Sequence, residues 1–128
     1  MESERQLLFV YGTLRPTLAQ GEPADLIRGL PRLGPATVRG SLHDLGGYPG
    51  FVAGDGIVHG ELLAVDSAAR LSEIDAYEEC GGPAPLYVRE LVLATRPDGS
   101  LVEAWVYRFI RPVAGAPLIP GGDYAGRP

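Results

Sequence analysis

Two runs rich in β-branched and aromatic residues, Tyr87 to Thr95 and Leu101 to Ile110, flank the segment Arg96-Pro97-Asp98-Gly99-Ser100. Proline presets φ for a turn and glycine supplies the left-handed conformation, so the two runs are expected to pair as an antiparallel hairpin. An open hairpin exposes strand edges. The rest of the chain must therefore pair with those edges or cover them.

Three more strand candidates precede the hairpin. Leu7-Leu8-Phe9-Val10-Tyr11 is an apolar run closed by Gly12, which reads as a strand buried on both faces and ending in a loop. Thr37 to Leu42 is a second candidate. Ile57 to Val65 is a third, with Gly60 in its middle marking a bulge or a close backbone approach. Between the last two, Leu45-Gly46-Gly47-Tyr48-Pro49-Gly50 reads as turn or loop. The Gly/Pro-rich stretch from Pro16 to Pro35 holds one possible helical turn at Asp25-Leu26-Ile27-Arg28. The segment after Pro112 reads as a surface-wrapping tail.

One segment has helical periodicity. Asp66 or Ser67 can cap it, its apolar positions are Ala68, Leu71, Ile74 and Tyr77, and Gly81-Gly82-Pro83 stops it, which predicts a helix of about four turns from Ser67 to Glu79. Five strands and one main helix define an α+β chain. The sheet is expected to be small, mixed, largely antiparallel and barrel-like, since closure removes the edges. A chain of 128 residues fits one domain, 1–128, that hides roughly two thirds of its unfolded surface.

Sixteen acidic residues against 11 lysines and arginines give a net charge of −5, which offers phosphate backbones and anionic membrane surfaces nothing to bind. No nucleic-acid or membrane partner is expected. The N-terminal residues are charged and Leu7 to Val10 is too short for a signal-peptide core or a membrane span, so the expected location is cytoplasmic. One cysteine cannot form an internal disulfide, and two histidines, His43 and His59, assemble no zinc-ligand spacing. Neither a metal nor another cofactor is expected, and the sequence leaves the oligomeric state open.

At about 100° per residue, Glu78 falls between Leu71 and Ile74 on the helix wheel. Its carboxylate should leave from the face that packs on the sheet, whereas Glu73 points away and Glu79 lies on the flank. A carboxylate on an apolar face has a raised pKa and can both accept and donate a proton near neutrality. The wheel leaves a plainer alternative open: Glu78 sits in the last turn and swings to solvent or pairs with Arg89. Asp75, about 40° from Leu71 on the wheel, is read as an ion-pair partner of Arg89, or as a second carboxylate that raises the Glu78 pKa further or holds a tyrosine or arginine in place.

The loop Tyr11-Gly12-Thr13-Leu14 leaves a buried strand at a glycine, so its backbone can approach a ligand and aim successive N–H groups at a carboxylate or oxyanion. A plain strand-to-loop turn remains the other reading. It is not a phosphate loop, because no Gly-Lys-Ser/Thr follows. Tyr48, Tyr87 and Tyr107 can line a pocket or sit in the core with hydroxyls at its rim. Cys80, at the helix C-terminus, has a dipole that disfavours its thiolate.

These segments, in this order, resemble the gamma-glutamylcyclotransferase-like family, of the gamma-glutamylamine cyclotransferase type found in bacteria. The resemblance runs from Leu8-Phe9-Val10-Tyr11-Gly12-Thr13-Leu14-Arg15 through Gly40 to Gly50 and Val58-His59-Gly60-Glu61-Leu62. It continues with Ile74-Asp75-Ala76-Tyr77-Glu78, Tyr87-Val88-Arg89, Ala104-Trp105-Val106-Tyr107 and Gly121-Gly122-Asp123-Tyr124. It implies that Glu78 is the acid/base catalyst and that Tyr11, Gly12, Thr13 and Leu14 cradle the substrate's α-carboxylate, with Tyr48 and Tyr87 as further substrate contacts. The implied reaction closes a small γ-glutamyl amine or peptide to 5-oxoproline and releases an amine. A non-enzymatic module that binds a small ligand in the same cavity, or an enzyme of another amide or acyl transfer, would use the same residues differently. Pro16-Thr17-Leu18 and the compact tail depart from the family pattern, on what would be the leaving-group side of the pocket.

Overall fold

The computed structural model describes residues 6–12, 14–16, 18–46, 48–65, 67–78 and 85–124. Its elements run β1 (Gln6–Val10), α1 (Glu22–Ile27), β2 (Arg32–Asp44), β3 (Pro49–Val65), α2 (Ala68–Tyr77), β4 (Tyr87–Thr95) and β5 (Leu101–Phe109), followed by a short 3₁₀ turn at Pro120–Gly122.

The hairpin forms as its turn residues dictate. Tyr87 pairs with Phe109 at the open end and Thr95 with Leu101 at the turn. Gly99 adopts φ 88°, its N–H bonds the Arg96 carbonyl at 2.9 Å, and the Asp98 carboxylate accepts from the Ser100 N–H and hydroxyl. The five strands close into a barrel in the order β1-β3-β2-β4-β5. Each neighbouring pair in that order is antiparallel. Going round an odd number of strands with alternating direction brings the first and last into the same direction, so closure has to be parallel. It is: β1 meets β5 in parallel at Leu8 and Trp105. The mixed sheet follows from the strand count.

β1 is buried on both faces, as its unbroken apolar run predicts. Phe9 and Tyr11 pack with Val38, Val58, Leu62, Ala94 and Val106, drawn from all the other strands, which places them inside the barrel. Leu8 and Val10 face the opposite way and pack with Ile27 of α1 and with Leu71 and Ile74 of α2. Leu71 and Ile74 are 6% and 0% exposed. Each such side chain contributes about 1.5–3 kcal/mol by leaving water.

Four expectations need correction. β2 and β3 are much longer than the segments Thr37 to Leu42 and Ile57 to Val65, and β3 takes in Pro49 and Gly50, which had read as loop. Their ladder runs from Asp44–Pro49 to Arg32–Leu63, but Arg39 faces Ile57 while Ser41 faces Val52. Residues 53–56 bulge out there, and the polar and glycine residues of that bulge break the alternation that would have revealed one long strand. The first part of β3 consequently meets β5 in parallel, at Phe51 and Arg108. α1 spans six residues and begins before Asp25. α2 ends at Tyr77 rather than Glu79, with Glu78 as the residue that leaves the helix at φ −84°, ψ 3°. Ala68 is exposed, because it lies in the first turn, where the helix leaves the barrel. Ser67 is the N-cap, its hydroxyl accepting from the Arg70 N–H at 3.1 Å. No described helix is long and apolar enough to cross a membrane.

Candidate active site

A cavity of about 370 Å³ opens where the C-terminal end of β1 meets the C-terminal end of α2. Tyr11, Gly12 and Leu14 line it, with Tyr48 from the β2–β3 turn, Pro49 at the start of β3, Tyr77 and Glu78 at the end of α2, Leu86 just before β4, Tyr87 of β4 and Tyr107 of β5. All seven described residues that the sequence singled out for a site or pocket, Tyr11, Gly12, Leu14, Tyr48, Glu78, Tyr87 and Tyr107, line it, and they come from five separate segments of the chain. Thr13, Glu79 and Cys80 lie outside the described residues.

Glu78 is the charged residue of the wall. The residue keeps part of its surface open, but protein packs around the carboxyl itself, and this loss of water raises its pKa from 4.5 to about 7. The wheel's alternatives are resolved by its neighbours. Arg89 is engaged by Asp75 through Nε to Oδ1 at 2.9 Å and Nη2 to Oδ2 at 3.2 Å, so the ion pair expected for Asp75 is present. Glu73 is on the outer face, its side chain 65% exposed and 3.8 Å from Arg70.

A raised carboxyl pKa has a signed effect on stability. Below pH 4.5 Glu78 is protonated folded and unfolded, and contributes no pH dependence. Between 4.5 and about 7 the unfolded chain releases the proton that the folded chain keeps, so stability falls as pH rises, and the full cost persists above that range. The 2.5-unit difference between those two values corresponds to at most about 3 kcal/mol. Thermal melts from pH 4 to 9 are expected to show Glu78→Gln gaining on the wild type across this window. Parallel Tm curves for the two proteins would contradict the burial of the carboxyl.

The tyrosine wall is fixed by hydrogen bonds. The Tyr11 hydroxyl donates to the Tyr107 carbonyl at 2.6 Å and accepts from the Phe51 N–H at 3.3 Å. The Tyr87 hydroxyl donates to the Pro49 carbonyl at 2.8 Å, and the Tyr107 hydroxyl donates to Asp75 Oδ1 at 2.6 Å. Tyr48, 38% exposed, stands at the rim.

Gly12 also meets a packing requirement. Its φ is not in the left-handed region, but a Cβ there would stand 2.7 Å from Pro49 Cγ and 3.0 Å from Cδ. The glycine lets the loop lie against the proline that forms the opposite wall. Beyond it, the Arg15 N–H bonds the Gly12 carbonyl at 2.9 Å. The Arg15 side chain, 12% exposed, ties the loop to Glu61 of β3 at 3.2 Å and to Asp123 of the tail at 2.8 Å. No residue of the described tail, 111–124, lines the cavity; the tail reaches the loop through Asp123 and through Ile119 and Tyr124, which share a buried cluster with Tyr11.

Pro49 and Leu86 were not singled out from the sequence. The packing of a loop glycine against a proline distant in the sequence leaves no local trace. The histidines take no part: His43 Nδ1 is 3.0 Å from the Ala116 carbonyl, and His59 is exposed on β3.

A desolvated carboxyl in a small tyrosine-walled cavity of a closed barrel has the features by which small-molecule sites are recognised. The sequence profile of the family described as gamma-glutamyl cyclotransferase, AIG2-like, matches residues 8–126, and the chain belongs to that family. It is 40% identical over 121 residues to the gamma-glutamylcyclotransferase family protein YtfP of Escherichia coli K12, covering 94% of this chain and 96% of that one. The solution NMR structure of the Escherichia coli protein superposes with a TM-score of 0.69 at 37% identity, over 94% of this chain and 97% of that one. The crystal structure of YkqA from Bacillus subtilis matches with a TM-score of 0.71 at 24% identity, a likeness of fold. It covers 94% of this chain and 40% of the longer YkqA chain.

Proposed function

We propose that the protein is a γ-glutamyl cyclotransferase acting on a small γ-glutamyl amine or peptide, with Glu78 carrying protons and the Tyr11–Leu14 loop, Thr13 included, anchoring the substrate's α-carboxylate. The observation that carries this is the Glu78 carboxyl, buried in a cavity at the mouth of that loop with a pKa of about 7.

The α-amine of the substrate attacks its own γ-carbonyl carbon. A C–N bond to the α-nitrogen forms, the amide C–N bond breaks, and the products are 5-oxoproline and an amine. The α-ammonium starts with three protons and the lactam nitrogen keeps one, so two protons must move to the departing nitrogen. A carboxyl titrating near neutrality can accept each proton and return it, which is why a general acid–base group suffices and a covalent nucleophile is unnecessary. Folding the glutamyl chain so that its own amine lies against its carbonyl supplies much of the rest. Tyr48, the residue before Pro49, and Tyr87, whose hydroxyl bonds the Pro49 carbonyl, would hold the bent chain.

Small γ-glutamyl amines are favoured over glutathione, since a chain of net charge −5 gains nothing from an extra carboxylate on the leaving group. Incubation with a panel of γ-glutamyl amines, γ-glutamyl dipeptides and glutathione should yield 5-oxoproline. With ionised Glu78 taking the first proton, kcat/KM is expected to rise with pH along a limb centred near 7. Binding of these compounds without 5-oxoproline from any of them would favour a binding module instead. Faster turnover of glutathione than of any amine would reverse the substrate order.

A further inference from the structure

Asp75 on α2 and Glu78, the residue that closes the helix, are three positions apart, a spacing that on a helix brings Cβ atoms to about 5–6 Å. Two carboxylates this close oppose each other's ionisation. Asp75, however, is met by both prongs of the Arg89 guanidinium, with each side chain about three-quarters covered (25% and 24% exposed). The guanidinium carbon lies 4.3 Å from the centre of the Trp105 ring, so Arg89 is held on a second side. Asp75 Oδ1 also accepts from the Tyr107 hydroxyl, and the Tyr107 carbonyl accepts from Tyr11. Tyr107 and Tyr11 line the cavity, while Asp75 and Arg89 stand behind it.

We propose that Arg89 is a positioning residue which, by neutralising Asp75 one helical turn from Glu78, sets the pH range in which Glu78 exchanges its proton and locks the tyrosine wall around it; this rests on Glu78 being the proton carrier. The other ionisable side chains that line the cavity with Glu78 among the described residues are Tyr11 just after β1, Tyr48 before β3, Tyr77 on α2, Tyr87 on β4 and Tyr107 on β5. None of these is a carboxylate, an imidazole, an amine or a guanidinium. The charged pair beside Glu78 is thus Asp75 with Arg89. Burial is the cause of the raised Glu78 pKa while Arg89 is in place. Without Arg89, the Asp75 charge is left bare beside Glu78.

The test is a titration of the Glu78 side-chain carboxyl by carbon-13 NMR, its resonance assigned by its loss in Glu78→Gln, in wild type and in Arg89→Gln, Arg89→Lys, Asp75→Asn and the Asp75→Asn/Arg89→Gln double variant. Arg89→Gln should raise the midpoint by about one pH unit. Arg89→Lys keeps the charge without the two-pronged fork, and should stay near wild type. The double variant removes both charges and should return to the wild-type midpoint. Asp75→Asn, which keeps an acceptor oxygen for Tyr107 and leaves Arg89 uncancelled, should lower it, and serves if Arg89→Gln does not fold. An unchanged midpoint in Arg89→Gln or in Asp75→Asn, or a double variant displaced as far as Arg89→Gln, overturns the proposal. Because the readout is not turnover, full activity in Glu78→Gln would sink the catalytic role of Glu78 while leaving this coupling to be decided by the midpoints.

Discussion

Glu78→Gln is expected to lower 5-oxoproline formation by roughly 10²- to 10⁴-fold, the contribution of a positioned general acid–base group. The amide keeps the volume and hydrogen-bonding reach of the carboxyl but cannot take a proton from the α-ammonium. The fold should survive and be somewhat more stable above neutrality, since burial of the ionised group is what pushes the pKa to about 7. Glu73→Gln is the matched control, on the same helix but with a side chain 65% exposed, and should change the rate by no more than a few-fold. Steady-state kinetics with the best γ-glutamyl substrate decide the matter. A Glu78→Gln enzyme that retains most of its rate with an unchanged pH profile would remove Glu78 from the mechanism and make Asp75 the next carboxylate to examine.

Gly60→Ala is expected to destabilise the protein by about 3 kcal/mol, at the upper end of overpacking costs, with Tm falling by roughly 10 °C. Gly60 is fully in the β3 ladder, opposite Ala36 of β2. A Cβ there would stand 2.4 Å from the Val10 carbonyl oxygen and 2.6 Å from Phe9 Cζ. The oxygen belongs to the backbone of β1 and cannot rotate away, and Phe9 is 0% exposed inside the barrel. Relief therefore requires β1 to move, and β1 carries the loop that lines the cavity. Activity should fall along with stability. A variant that melts within 2–3 °C of the wild type, roughly 1 kcal/mol, would show that the β1–β3 contact is more yielding than the packing implies.

Among the strands, what could be read in advance was whatever a local pattern specifies. The Pro-Asp-Gly turn defines the β4–β5 hairpin because its backbone conformation is set by those residues alone. The unbroken apolar run of β1 foretells burial on two faces, and a glycine amid the β-branched residues of β3 foretells a close approach. The long β2–β3 ribbon was not legible as such. Its continuity lies in hydrogen bonds across a bulge, where residues 53–56 are exposed and the period-2 signal is lost.

The site divides along the same line. The position of Glu78 on α2 follows from the 3.6-residue period, which puts it between Leu71 and Ile74 without reference to any other part of the chain. Whether that carboxyl reached solvent, Arg89 or a cavity depended on side chains from β1, the β2–β3 turn, β4 and β5, and on Asp75 having already engaged Arg89. Likewise the sequence alone marked Gly12 as a point where backbone approaches something closely, and only the tertiary structure showed that one such neighbour is Pro49, 37 residues later in the chain. Periodicity and turn chemistry are properties of neighbouring residues and are written locally. A carboxyl's pKa and a glycine's clearance are set by atoms within a few ångströms in space, and barrel closure chooses those atoms.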